Sequence, residues 1–461
     1  MTSVKLRLSI ISFLFTVLSF SVPQVSSGQT SKNLDLNQAI ELGLAHSKDL
    51  MLSAAEIEQS NAMIQEAKNN KLPDLKLSGA YLYLAKPNIN IKIDQNSDNS
   101  SADDGSGSDG GTSFPNVHQA VYGMLNASMP LYAGGKITNG IKSAELLAEA
   151  SKLDAKDQQE EVVQHIISAY YNLYKADATL KLVNENLQTA KQRVKDFTNL
   201  ETNGLIARND LMKAELQQSN MELAVLDAEN NRKITNFNFN LMLGLEDSTK
   251  IVIDSNQVYS EQQVDGLSAL IGMAKSNRFD YLASIERQKA AAFDTKVIEG
   301  DKYPTIALTG GYIAADIPKA LTAYNVVNVG VGLSYDLGAL YKNSAKVRSS
   351  KAKEKMLEVK QQQLDDDIRT EIFQAYNDYT HEVKKIDVLR SAVRQAEENY
   401  RITKNKYDNA LATATDLFDA DVALLQARIN FENTRADAAI AYNKIYETVG
   451  MLNKRVQQSH S

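Results

Sequence analysis

The chain has 461 residues, a formal net charge of −7 and 43% hydrophobic residues, a length that allows about three domains. Gly and Pro number 22 and 7, and residues 131–303 and 319–461 hold no proline. Such stretches point to long helices, because an interior Pro costs about 3 kcal/mol. The absence of Cys excludes disulfides, thiol catalysis, thiolate metal sites and a lipid on an N-terminal Cys; the acidic balance argues against a nucleic-acid partner, and the five His stand at no metal-ligand spacing.

Lys5 and Arg7 precede a mainly apolar run of fifteen residues, Leu8–Val22, broken only by Ser and Thr, and Ser26-Ser27-Gly28 then supplies small residues for a cleavage site. The run is shorter than the roughly 20 residues a membrane helix needs. Residues 1–28 therefore read as a signal peptide, whose removal leaves 48 − 57 = −9 on an exported chain.

The remainder is written twice. Ala169-Tyr170 recurs as Ala375-Tyr376, and the same shift of 206 carries Leu131 to Leu337, Lys136 to Lys342, Asn203 to Asn409, Asp210-Leu211 to Asp416-Leu417 and Gly244 to Gly450. Upstream, Pro73, Leu77, Gly79 and Tyr81 map to Pro304, Leu308, Gly310 and Tyr312 with a shift of 231. The difference of 25 is taken up by an insertion, Asp94 to Ser113, built of Asp, Ser, Asn and Gly. It lacks the spaced ligands of a Ca²⁺ loop and reads as a solvated loop. The expected organisation is a first repeat at 29–245, an inter-repeat belt at 246–266, a second repeat at 267–452 and a tail at 453–461. Each repeat would hold a helix, two extended segments and a long helical hairpin.

In the first repeat the extended segments fall at 73–85 and 118–131, in the second at 303–315 and 325–337. Val327, Val329, Val331, Leu333 and Tyr335 alternate with Asn328, Gly330, Gly332 and Ser334; Val121, Leu125, Ala127 and Met129 repeat the pattern more weakly, and Leu75, Leu77, Tyr81 and Tyr83 form another such strand. Strands apolar on one face fit either a one-sided antiparallel sheet or a transmembrane barrel. The long helix that follows carries a heptad seam: Ile166, Leu173, Leu180, Leu187 and Val194, with Ala169, Ala176, Val183, Ala190 and Phe197 three places after each. Shifted by 206, the a positions are mostly kept while Glu382 and Thr403 make two d positions polar. From Leu131 to Asn203 such a helix would reach about 110 Å. A rod of that length on an exported chain favours the barrel over a soluble sheet.

Four strands cannot close in a membrane, since unpaired edge groups in hydrocarbon cost several kcal/mol each. Two chains would give eight strands and a bore filled by side chains; three give twelve and a water-filled bore. The expected fold is thus an α+β membrane protein: a trimeric twelve-stranded β-barrel, four strands per chain, continued by a long α-helical coiled-coil barrel.

Along nearly its whole mature length the chain resembles the TolC-type outer-membrane efflux family. The resemblance lies in Leu34-Asp35-Leu36-Asn37-Gln38-Ala39-Ile40-Glu41-Leu42, in Leu131-Tyr132-Ala133-Gly134-Gly135 and in the second tip, Tyr407 to Ala420. It implies a homotrimer in the outer membrane, extending into the periplasm and joining an inner-membrane pump and a periplasmic adaptor to the exterior, in tripartite efflux or type I secretion, without a cofactor. It also implies that Asp416 and Asp419, one helical turn apart, form carboxylate rings at the periplasmic constriction. Residue types alone leave open that they are ordinary N-terminal helix acids. Tyr407 and Asp210 match positions that hold the closed tip, and Arg208 is expected to reach Asp416 or Asp419 as a latch. Ala410 replaces the family's usual Gly, and Ala412 replaces the latch Arg of some members. Gly204, Leu205, Ala410 and Leu411, small or apolar at the tips, are the candidate adaptor contacts. A trimeric coiled-coil adhesin or stalk is the alternative, though it would lack duplicated strand pairs. No Ser/His/Asp set, metal cluster or phosphate loop suggests an enzyme.

Overall fold

The protein is described by a computed structural model covering residues 31–83, 85, 118–253, 262–318 and 321–458. The expected signal peptide and the acidic insertion lie outside the described residues. The first half runs β1 (Ser31–Leu34), α1 (Leu36–His46), α2 (Lys48–Asn69), β2 (Asp74–Tyr83), β3 (Gln119–Ala133), α3 (Lys136–Thr202) and α4 (Arg208–Leu243), followed by β4 (Lys250–Ile253). The second runs α5 (Leu267–Asn277), α6 (Phe279–Glu299), β5 (Thr305–Ile317), β6 (Leu321–Ser334), α7 (Ala339–Asp408) and α8 (Ala414–Thr448), and α9 (Leu452–Gln458) ends it.

Two helices, not the expected one, precede each strand pair. α1 opens on a capping box, with Asp35 Oδ1 accepting the Gln38 N–H at 2.7 Å, and Ser47 then breaks the helix. Its hydroxyl caps α2 by accepting the Leu50 N–H. The first long helix starts at Lys136 rather than Leu131. Gly134 and Gly135 adopt φ of +62° and +78° to turn the chain off the strand, and a Cβ on Gly134 would lie 2.4 Å from the Gly300 carbonyl. Leu131 therefore stays in β3. Even so α3 holds 67 residues and α7 holds 70, each about 100 Å at 1.5 Å per residue.

The heptad seam of α3 is interior. Ile166, Leu173, Ala176, Val183, Leu187, Ala190 and Phe197 are all buried. On α7 burial is confined to the upper part of the seam, at Ile372, Ala375, Tyr379 and Ile386. Within that part Glu382 is only half-buried, as is Thr403 further down.

Four strands form one antiparallel sheet in the order β2-β3-β5-β6, leaving β2 and β6 as edges with no partner strand among the described residues. Register places Leu77, Leu125, Tyr312 and Val327 side by side, and likewise Leu75, Ala127, Gly310 and Val329. One face of the sheet is thus apolar across all four strands. The opposite face aligns Asp74, Ser128, Thr309 and Gly330, then Lys76, Asn126, Gly311 and Asn328. The apolar face is solvent-exposed in the single chain: Leu77, Val329 and Leu333 are each more than 70% accessible.

The main core sits at the waist of the helices. There Ile40, Ile166, Ile167, Leu173, Phe239 and Leu243 pack with Ile251 and Leu452. Within the belt at 246–266, β4 pairs in parallel with β1, an interaction too short to show as alternation. Asn236 and Asn240 donate to the Thr249 carbonyl at 2.8 and 2.7 Å, and Arg232 bridges Asp177 and the Ile251 carbonyl. α9 spans the end of the expected second repeat and the described part of the tail, with Leu452 fully buried and Arg455 lying over the rings of Tyr442 and Tyr446.

Candidate functional site

The sheet and the hairpin tips mark opposite ends of the chain's long axis, and the expected site residues lie at the tips. Both tips use the same closure. At the first, Gly204 adopts φ +72° and the Leu205 N–H returns to the Leu200 carbonyl at 2.9 Å. At the second, Ala410 takes φ +59° and the Leu411 N–H returns to the Lys406 carbonyl at 2.7 Å. A left-handed residue with this six-to-one bond satisfies the last helical carbonyls. Glycine adopts it freely, whereas at Ala410 the Cβ makes it strained. Leu205 and Leu411 project into solvent, 70% and 76% exposed.

Asp416 belongs to a capping box at the start of α8. Its N–H donates to Thr413 Oγ1 (3.2 Å), and its Oδ2 accepts the Thr413 N–H (2.9 Å) and hydroxyl (2.7 Å). These hydrogen bonds hold the Asp416 carboxyl below the usual range. The residue is thus an N-terminal helix acid in the single chain and stays ionised and exposed. Asp419 is exposed one turn further on.

Tyr407 faces inward. Its ring stacks on Phe197 at 5.5 Å, and Phe197 in turn meets Phe418 at 6.2 Å. With Leu211, Ala214 and Ala414 these residues form a small core to which all four long helices contribute. Burial, with Asp210 and Asp408 nearby, raises the Tyr407 hydroxyl pKa. Asp210 pairs with Lys213 at 3.4 Å, and Lys213 also reaches Thr415 Oγ1 across the hairpins at 3.5 Å. Arg208 departs from expectation. Its guanidinium turns back to Glu201 of its own hairpin at 3.5 Å rather than to Asp416 or Asp419. Glu201 at the end of α3 is a closer neighbour in the folded tip than α8 is, so the latch assigned to Arg208 is not formed within the chain.

A buried charged link between the hairpins lies higher up and was not anticipated. Arg193 Nη1 on α3 donates to Asp421 Oδ2 on α8 at 2.9 Å, with side chains only 9% and 7% exposed. Asn186 donates to the other Asp421 oxygen, and Arg193 Nη2 donates to the Tyr400 hydroxyl. The guanidinium also lies over the Phe418 ring at 5.5 Å. The one available sequence signal was a charge at position 193, immediately beside the apolar seam residue Val194. Among the described residues no group of His, Asp or Glu is arranged to hold a metal ion.

Two parts of the chain, residues 39–245 and 270–451, match the family profile of outer membrane efflux proteins. The chain belongs to that family. It is 22% identical over 449 residues to the outer membrane protein TolC of Vibrio cholerae serotype O1, covering 95% of both chains, and 21% identical to TolC of Escherichia coli strain K12, covering 95% of this chain and 86% of that one. Its fold is similar to the crystal structure of the Campylobacter jejuni CmeC outer membrane channel, with a TM-score of 0.73, 19% identity and coverage of 92% and 88%. The protein is an outer-membrane efflux channel that extends into the periplasm, and the adhesin-like stalk is set aside. The family's name supplies the medium that the exposed apolar face of the sheet requires.

Proposed function

We propose that three copies of the chain close a twelve-stranded barrel and a helical cylinder into one tunnel, which receives cargo from an inner-membrane pump through a periplasmic adaptor. The observation that carries this reading is the sheet itself: one face apolar across four strands, the other lined by Asp74, Lys76, Asn126, Ser128 and Thr309, and both edges open. In hydrocarbon those edges require partners, and the polar face suits a water-filled bore. The duplicated element order, ending in two tips of like closure, would give the cylinder near-sixfold regularity at its inner end.

At that end Asp416 and Asp419 of three chains would set six carboxylates around the bore, attracting cations and repelling anions. The capping box gives Asp416 a fixed direction and a low pKa, which suits a permanent charge. Leu205 and Leu411, held out on tight turns, offer apolar knobs to adaptor helices, flanked by Gly204 and Ala410. Tyr407, stacked on Phe197, would hold the second tip against the first, with Asp210 beside it. The test is light scattering of the purified protein in mild detergent together with planar-bilayer recording. A three-chain particle that conducts is expected; a stable monomer would overturn the reading.

A further inference from the structure

The two open sheet edges each continue into a helix: α2 leads into β2 through residues 70–73, and β6 leads into α7 through residues 335–338. β2 runs away from the helices and β6 runs toward them, so β6 of one copy can add antiparallel to β2 of the next. That union rests on the trimeric barrel proposed above. It lays α7 of one copy alongside α2 of its neighbour.

Both helices have a free face turned away from their own chain. α2 packs on α3 through buried Ser53 and through Ser60, whose hydroxyl meets that of Ser151 at 2.9 Å. α7 packs on α6 through Asn343, which donates to the Ile298 carbonyl at 2.8 Å, and through Ser350, whose hydroxyl meets that of Thr295 at 2.8 Å. At about 3.6 residues per turn the opposite side of α2 carries Met51, Ala55, Glu58, Ala62 and Glu66. The opposite side of α7 carries Tyr341, Ala345, Arg348, Ala352, Met356 and Val359, and all of these residues on both helices are exposed. The same i, i+4, i+7, i+11 spacing occurs on both faces, with alanines at corresponding places, so the backbones can approach closely.

The levels also agree. Counted from Asn70 and Gly338, where the helices meet the sheet, Ala62 is 8 residues down and Ala345 is 7, while Ala55 is 15 and Ala352 is 14. Glu66 and Lys342 are each 4 residues down, and Glu58 and Arg348 are 12 and 10. Among the described residues Glu58, Glu66 and Arg348 have no ion-pair partner, although the same helices pair Lys68 with Glu145 and Lys355 with Glu358. Of these three charges, the two on α2 are acidic and the one on α7 is basic.

We propose that α2 of one copy and α7 of the next form an antiparallel small-residue seam in which Ala62 meets Ala345, Ala55 meets Ala352, and Glu66 and Glu58 pair with Lys342 and Arg348. The occupant of each free face is thus a second copy of this chain. The seam begins where the shared strand edges end and carries the union of the barrel down toward the waist.

The Cys-free chain permits a direct test on the full-length protein in mild detergent. The double variant Ala62→Cys with Ala345→Cys, treated with a short thiol–thiol crosslinker, should give a denaturing-gel ladder that stops at three chains. Ala54→Cys with Ala345→Cys, off the seam, should remain uncrosslinked. Glu58→Arg should lower the fraction of trimer surviving mild dodecyl sulfate by about tenfold, and adding Arg348→Glu to the same chain should restore it. A light-scattering trimer in which the alanine pair does not crosslink and the charge exchange gives no rescue would overturn the seam while leaving the barrel intact. A protein that is monomeric before any substitution would overturn the barrel, and the seam with it.

Discussion

Arg193 and Asp421, 228 residues apart in sequence, meet at 2.9 Å in the interior of the protein and tie the first hairpin to the second. Each is nearly fully buried, so removing one partner strands the other's charge. Arg193→Ala or Asp421→Ala is expected to cost about 3–5 kcal/mol, measured by denaturant unfolding. An Arg193→Met, Asp421→Leu double variant should recover most of that loss, because it removes both buried charges. A cost under 1 kcal/mol for either single variant would mean the pair is solvated.

Ala410 should be improvable. Its φ of +59° costs about 1 kcal/mol that glycine would not incur, so Ala410→Gly is expected to stabilise the second tip by up to that amount. Gly204→Ala should destabilise the first by a similar amount. Hydrogen exchange at Leu411 and Leu205, whose N–H groups close the two turns, reads the effects separately.

Acidity should strengthen the waist. Burial is the main reason that Asp157 and Glu160 have pKa values raised to about 7, and Asp280 and Glu447 add repulsion. Glu160 also accepts the Asn453 N–H with both oxygens, so it anchors the start of α9. Because these carboxyls hold protons in the folded state that the unfolded chain releases near pH 4, the stability they contribute is full below that pH and is lost as pH rises to about 7. The melting temperature should therefore increase from pH 8 to pH 5, with a slope of at most about 1.4 kcal/mol per pH unit per group. Asp157→Asn with Glu160→Gln should flatten the profile.

Replacing Asp416 and Asp419 with Asn should weaken cation preference in planar bilayers with little change in stability, since an Asn side-chain oxygen at 416 can still accept the Thr413 N–H and both positions are exposed. Unchanged reversal potentials would place the constriction elsewhere.

Arg208→Ala should alter stability by less than about 1 kcal/mol, because its bond to Glu201 is a long, exposed pair on one hairpin. If the substitution instead enlarges or multiplies channel openings, Arg208 acts across the tip in the assembled protein.

Much of this was legible before any coordinates. The seam Ile166, Leu173, Leu187 shows in sequence because a coiled coil repeats every 3.5 residues for as long as it lasts. The sheet shows because β-alternation at Val327–Leu333 is strict. The tips show through Asn203-Gly204, a helix stop with a backbone reason. Other features left no such trace. Ser47 breaks a helix that its neighbours would continue, β1 and β4 are four residues each, and the match of Arg193 to Asp421 depends on which faces two distant helices turn to each other. The pairing of Arg208 with Glu201 within the chain is hidden for the same reason: a count of residues from Gly204 says nothing about which carboxylate lies nearest in space.

The uninterrupted run of α3 has a mechanical consequence. From Tyr170 at the waist to Thr202 at the tip the helix continues for 32 residues without a break, a lever of roughly 48 Å at 1.5 Å per residue. A pivot of only about 5° at the waist would swing its far end by roughly 4 Å, more than the length of a hydrogen bond. In the proposed tunnel the aperture would then be set by small angular changes far from the bore, with no residue at the tip itself having to refold.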